Sequence, residues 1–187
     1  MKRICLLSVL LMIIAVPVLA APPNYVALKL GAYLPQHDDM EMFNDDISGE
    51  IAVGQYYNPN VAFELGLGYF RTKADEGGVK GEITSFPVLL SIKGAVPIGD
   101  AELYALVGGG LYMTKLELSS SGDLVDDTNT AFGVHLGAGG NINISKNVFL
   151  GVEAKYILVT PSFEISGYHQ DVHIDGIQAT ANIGYRF

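Results

Sequence analysis

Hydrophobic side chains recur at every second position along most of this chain, the period of extended strands with one apolar face. The last stretch, residues 176–187, is the cleanest. Ile177, Ala179, Ala181, Ile183, Tyr185 and Phe187 share one face; Gln178, Thr180, Asn182, Gly184 and Arg186 share the other. Earlier segments repeat the pattern. Val26, Leu28, Leu30, Ala32 and Leu34 oppose Ala27, Lys29, Gly31 and Tyr33. Ile51, Val53 and Tyr57 oppose Glu50, Ala52 and Gly54. Val61, Phe63, Leu65, Leu67 and Tyr69 oppose Ala62, Glu64, Gly66 and Gly68. Phe86, Val88, Leu90, Ile92 and Val96 then stand against Ser85, Ser91 and Lys93, with Pro87 interrupting. Leu103, Ala105, Val107 and Leu111 oppose Glu102, Tyr104, Gly108, Gly110 and Tyr112. Phe132, Val134, Leu136, Ala138, Ile142 and Ile144 face away from Gly133, His135, Gly137, Gly139, Asn141 and Asn143. Val148, Leu150, Val152, Ala154, Tyr156 and Leu158 oppose Gly151, Glu153 and Lys155.

These segments predict about eight strands. Polar gaps at 35–47, 73–80, 119–129 and 161–173 alternate with tight turns at 58–60, 97–100 and 145–147. A long, short, long, short rhythm matches an antiparallel up-and-down barrel crossing a membrane, with long outer loops and tight periplasmic turns. The predicted fold is therefore all-β, an eight-stranded antiparallel transmembrane β-barrel, with both termini at the periplasmic end. Pro87 cannot donate to a ladder, so it is expected at a bulge or beyond the paired region.

Alternation alone does not say which face is inside. A water-soluble barrel would crowd its polar face with long charged side chains. Here that face is mostly Gly, Ala, Ser and Asn, which suit the narrow interior of an eight-stranded barrel. Its sparse charges nearly balance: Lys29, Lys93, Lys155 and Arg186 against Glu50, Glu64, Glu102 and Glu153. Inside a lumen they would pair with one another, because buried charges must be paired. The apolar face then meets lipid. Tyr25, Tyr33, Tyr57, Tyr69, Phe149, Tyr156 and Tyr185 lie near segment ends, as girdle aromatics do, although several carry lumen-facing parity.

The N-terminus adds a compartment. Met1-Lys2-Arg3 is basic, residues 4–19 are almost wholly apolar, and Val18-Leu19-Ala20 supplies small residues for cleavage. That is an export signal, with cleavage expected after Ala20 and a barrel domain over 21–187. The single cysteine, Cys5, would leave with it. Losing Lys2 and Arg3 and no acid takes the net charge from −9 to −11. An acidic chain without basic clusters excludes nucleic-acid binding.

The signal, the alternating segments and the Tyr185-Arg186-Phe187 end resemble the small bacterial outer-membrane β-barrels of the OmpA/OmpX type, over the whole mature chain. The resemblance implies a Gram-negative outer membrane, contact with its lipid and lipopolysaccharide, recognition of Phe187 by the outer-membrane assembly machinery, and a monomer. It implies a structural, envelope or surface-interaction role; the alternative is a narrow porin-like channel for small solutes, as in OmpW-like relatives. The lipid-A deacylase barrels are similar in size but use a His-Ser pair in a short motif. His135 is followed by Leu136 and Gly137, so no catalytic residue carries across.

Few other constellations suggest chemistry. His169, Asp171, His173 and Asp175 alternate, so an extended chain would align two imidazoles and two carboxylates as for a transition metal. A solvated loop is the plainer expectation, and no metal or cofactor is assigned. Asp38, Asp39, Glu41, Asp45 and Asp46 lack the glycine-punctuated spacing of a calcium loop and read as an acidic surface loop, as do Asp123, Asp126 and Asp127. Gly108-Gly109-Gly110 and Gly137-Ala138-Gly139-Gly140 lack the lysine and helix of a phosphate loop; glycines in bent barrel strands explain them. His135 is expected in the lumen, satisfied by a neighbour. With no nucleophile–base pair apparent, the sequence does not read as an enzyme.

Overall fold

The structure, a computed structural model, describes residues 24–36, 43–76, 79–120, 123–165 and 168–187. The expected signal segment, Asp38, Asp39 and Glu41 lie outside the described residues. Eight long strands make up the barrel: β1 (Asn24–Pro35), β2 (Asp46–Asn58), β3 (Val61–Glu76), β4 (Val79–Ile98), β5 (Ala101–Ser120), β6 (Asp123–Asn143), β7 (Val148–Val159) and β8 (Gly176–Arg186). Each pairs antiparallel with the next, and β8 returns to β1 from Pro35↔Gly176 to Tyr25↔Arg186. Two small additions sit at the far end: the two-residue strand Phe43–Asn44 against β3, and a hairpin of Ser162–Ile165 with Tyr168–Asp171. Among the described residues there is no helix.

The register fixes the shape. From Ser48, the ladder runs through Phe70, Ser85 and Thr114 to Asn129 on β6. In the other direction it runs through Gly31, Thr180 and Glu153 to Gly139, also on β6 and ten residues away. That offset is the shear of the barrel. With eight strands, a rise of about 3.3 Å per residue and a spacing of about 4.8 Å, it tilts the strands by about 40°. Phe86, Val88, Leu90, Ile92 and Val96 face outward and are exposed. At that tilt they rise about 25 Å, the height of the apolar band of an outer-membrane barrel. The greasy face therefore points out, as the small residues of the opposite face require.

Asn24 and Phe187, the first and last described residues, lie at the end with the tight turns. The Asn24 N–H donates to the Phe187 carbonyl at 3.2 Å, and the Phe187 N–H to the Asn24 carbonyl at 2.9 Å. Of the aromatics expected in girdles, Tyr57, Tyr69, Tyr156 and Tyr185 face outward, and Phe86 and Phe132 join them. Tyr69 and Phe86 touch at the outer rim, centroids 5.3 Å apart. Tyr25, Tyr33 and Phe149 do not belong to a girdle: they are buried in the lumen, as their parity demands.

Two expectations fail at the extracellular end. Residues 73–80 and 119–129 read as loops, yet β3 and β4 stay paired to Glu76↔Val79, and β5 and β6 to Ser120↔Asp123. β4, β5 and β6 run for 20, 20 and 21 residues, against 12, 12 and 11 for β1, β7 and β8. Above the apolar band the outward positions turn polar: Arg71, Lys73, Glu82, Thr84, Lys115, Glu117, Thr128 and Thr130. Backbone pairing continues there while the outward face meets water, so the hydrophobic period fades although the strand does not. Pro87 is the other correction. It sits inside the ladder opposite Tyr112, with no bulge. The β3–β4 register is the same on either side of it, and the two pairs at Gly68 and Tyr69 are skipped. A Cβ on Gly68 would lie 2.7 Å from Pro87 Cγ, so Gly68 makes room for the ring.

Three lumen glycines make room for aromatic rings. Tyr25 lies across Gly54, Phe149 across Gly184 and Tyr104 across Gly139, each pair directly opposite on neighbouring strands. A Cβ on Gly54 would stand 2.1 Å from Tyr25 Cζ. Gly54→Ala is therefore expected to displace Tyr25 and lower unfolding free energy by about 1–3 kcal/mol, the usual range for overpacking. Urea titration followed by the mobility shift of the folded barrel in gels checks this.

The lumen as candidate functional site

Every lumen-facing position predicted to carry charge does so, and the eight groups form two linked clusters. Lys29 is the hub. Its Nζ lies 2.9 Å from Glu50, 2.7 Å from Glu64 and 3.0 Å from Glu153. Lys155 bridges Glu50 at 2.6 Å and Glu153 at 3.4 Å, and Lys93 holds Glu64 at 2.9 Å. Nearer the periplasm Arg186 stands 3.7 Å from Glu102. Four cations and four carboxylates leave no net charge. Tyrosines complete the hydrogen bonding: Tyr25 donates to Glu64, Tyr104 to Glu153 at 3.0 Å and Tyr56 to Glu102 at 2.6 Å. Their role was missed in the sequence, although each shares the parity of the charge it serves. Buried ions cost several kcal/mol each unless paired and hydrogen-bonded, and here the pairing is dense.

Apolar clusters close this ionic layer on both sides. Toward the periplasm lie Tyr25, Ala27, Tyr56, Ala62, Ala95, Tyr104, Leu106 and Phe149. Lys93 stands over the Tyr104 ring at 4.1 Å and Arg186 over Phe149 at 4.7 Å. Toward the outside lie Tyr33, Phe70, Ile83, Leu89, Tyr112, Leu116, Ile157, Val159 and Ile174, with Tyr33 and Phe70 stacked 4.4 Å apart. Ile174 comes from the connection between β7 and β8 and is wholly buried. The connection is stitched down: Tyr33 Oη donates to the Ile174 carbonyl at 2.8 Å, and Ile174 N–H to the Val159 carbonyl at 3.1 Å. The axis is thus filled by an aromatic cluster, an ionic layer and a second hydrophobic cluster in series.

His135 is in the lumen as expected, and its neighbour is Ser91. Ser91 Oγ lies 2.8 Å from His135 Nε2. This is a serine–histidine contact that the sequence did not disclose, because the two sit on β4 and β6, 44 positions apart. It lacks two attributes of a catalytic pair. No carboxylate orients Nδ1, which has no protein partner. Ser91 and His135 are 3% and 1% exposed, enclosed between the two apolar clusters.

The alternating His/Asp run is not one extended strand. Pairing ends at Asp171, and residues 172–175 are irregular. The side chains of His169 and Asp171 lie outside the described residues. Asp175 is buried, and its Oδ1 accepts the Val159 N–H at 3.0 Å. Of the acidic loop, Asp46 pairs with Arg71 at 2.9 Å, and Arg71's hydrogen bonds hold its carboxyl below the usual range. The side chains of Asp123 and Asp126 lie outside the described residues; Asp127 Oδ1 accepts the Thr128 N–H at 2.8 Å.

A closed antiparallel barrel with a lipid-facing apolar band and an internally neutralised lumen defines a transmembrane outer-membrane protein, placed in the outer membrane of a Gram-negative bacterium. The chain belongs to the family described as outer membrane protein beta-barrel domain, whose model matches residues 6–187. Its fold is similar to Ail, the attachment invasion locus protein of Yersinia pestis, at 17% identity and TM-score 0.58, covering 90% of this chain and all of that one. Neisserial surface protein A is similar at 15% identity and TM-score 0.60, covering 88% and 97%. Escherichia coli outer membrane protein W matches at 15% identity and TM-score 0.54, covering 90% of this chain and all of that chain. No curated protein sequence matches the chain.

Proposed function

We propose that this barrel is a non-enzymatic envelope protein that anchors surface-exposed strands and loops rather than a solute channel. One observation carries the reading: the axis is blocked three times over, by two apolar clusters and a neutral ionic layer between them. The wall that β3–β6 raise above the apolar band then becomes the part offered to the surroundings. In planar bilayers the purified barrel is expected to give no stable single-channel currents. Large, steady openings would overturn the assignment in favour of a narrow channel for small solutes.

The Ail structure named for a heparin analogue, sucrose octasulfate, raises the question of polyanion binding. Among the described side chains, the outward cations above the band argue against it here. Arg71 pairs with Asp46, Lys73 with Glu82 at 3.5 Å and Lys115 with Glu117 at 2.5 Å. The surface role therefore suits lipid neighbours better than a sulfated polysaccharide. Export by the N-terminal signal, with a mature N-terminus at Ala21, and assembly through Phe187 belong to the same proposal. Phe187 makes backbone hydrogen bonds with Asn24 but its ring is exposed. Phe187→Ala is expected to lower the folded, membrane-inserted fraction several-fold in cells while leaving the stability of purified refolded barrel nearly unchanged. Equal loss in both assays would mean the ring serves packing only.

A further inference from the structure

The wall of the barrel is not uniformly closed. β6 and β7 pair from Asn143↔Phe149 up to Gly133↔Val159 and then diverge, since β7 ends while β6 continues upward. At the point of divergence lies a cleft of about 340 Å³, lined by Phe132, Gly133, Val134, Leu158, Val159, Thr160, His173 and Asp175. The lining is graded. Phe132, Val134 and Leu158 face outward, 68%, 45% and 37% exposed, at the upper margin of the apolar band. Thr160, His173 and the buried carboxylate of Asp175 stand at the other end. Behind the cleft the lumen side is closed: Tyr112 and Val159 already fill the space a Cβ on Gly133 would take, at 2.7 and 2.8 Å.

We propose that this cleft holds one alkyl chain of a membrane lipid whose head group donates hydrogen bonds. The occupant follows from position and chemistry. Below the girdle position of Phe132, at the level of the paired Val134 and Leu158, the surrounding medium is hydrocarbon, so an apolar slot opening there takes an acyl chain. Asp175 already accepts the Val159 N–H through Oδ1, and a carboxylate has further acceptor sites but nothing to donate. A head group with an ammonium or hydroxyl matches it, whereas a free fatty-acid carboxylate would bring a second negative charge to the same place. The volume lies at the small end of ligand sites, about 300–1,000 Å³, which suits one chain rather than a whole lipid.

The test uses the full barrel in nanodiscs with labelled Val and Leu methyls, and lysophosphatidylethanolamine bearing a nitroxide on its chain as the probe. The methyls of Val134 and Leu158 are expected to broaden at probe levels that leave outward-facing Leu30 and Leu90, on other strands, unaffected. Val134→Trp, which fills the slot from outside, is expected to abolish the selective broadening, and Leu158→Trp serves as the second filler should the first fail to fold. Spin-labelled laurate is expected to show no selectivity. Uniform broadening of all lipid-facing methyls, or selectivity that survives both tryptophan variants, would show only ordinary lipid contact and end the proposal. Laurate binding as selectively as the lysolipid would overturn the head-group assignment.

Discussion

Lys29→Met is expected to cost about 3–5 kcal/mol of unfolding free energy, because it removes the one cation shared by Glu50, Glu64 and Glu153 and leaves buried carboxylates short of a partner. The chain has no Trp, so urea unfolding is best followed by gel mobility of the folded barrel and by circular dichroism. Adding Glu153→Gln to Lys29→Met restores the charge balance while Lys93 keeps Glu64 and Lys155 keeps Glu50, and is expected to recover part of the loss. That recovery separates the cost of an unpaired charge from the cost of lost packing. The same logic predicts a smaller effect at the periplasmic end. Arg186 and Glu102 stand 3.7 Å apart with side chains 18% and 10% exposed, and Arg186→Met is expected to cost only about 1 kcal/mol, near the range for solvent-accessible pairs.

The second large effect is expected at Phe70. Its ring is fully buried in the outer cluster and stacked on Tyr33, so Phe70→Ala should cost about 3–5 kcal/mol. The barrel should nevertheless remain closed to ions, because the ionic layer and the periplasmic aromatic cluster lie beneath. Its neighbour Tyr69 provides the contrast. It faces outward against Phe86, and Tyr69→Ala should cost less than about 1.5 kcal/mol, the value of an exposed aromatic pair. Equal losses at the two adjacent positions would contradict the assignment of inside and outside on β3.

The lumen was unusually legible in the sequence. Each charge that alternation placed inside is inside, and the balance of Lys29, Lys93, Lys155 and Arg186 against four glutamates foretold their pairing. Which lysine meets which glutamate was not legible. Lys29 and Glu153 are 124 positions apart, and only strand order and a shear of ten bring them to one level. The same holds for Ser91 and His135. The projecting ends of β3–β6 were hidden for another reason. Alternation is imposed by lipid on one side and packing on the other, and above the membrane the first constraint is gone. Pro87 misled because a sheet reading weighs only the missing N–H. Gly68, opposite, supplies the space that lets the ring stay in line.

The hub lysine also bears on how the barrel is put together. Lys29 sits on β1, next to the line where the first and last strands meet, and reaches Glu153 on β7 across that line as well as Glu64 on β3. Lys155 and Glu50 make the same crossing in the opposite sense. While the β1–β8 seam stands open, Lys29 keeps Glu50 and Glu64 and Lys155 keeps Glu153, but the two pairs that cross it, Lys29–Glu153 and Lys155–Glu50, are unmade. Zipping the seam completes the pairing that buried charges need. The electrostatics thus act as a latch that rewards full circularisation over any half-formed, open-sided sheet in the bilayer.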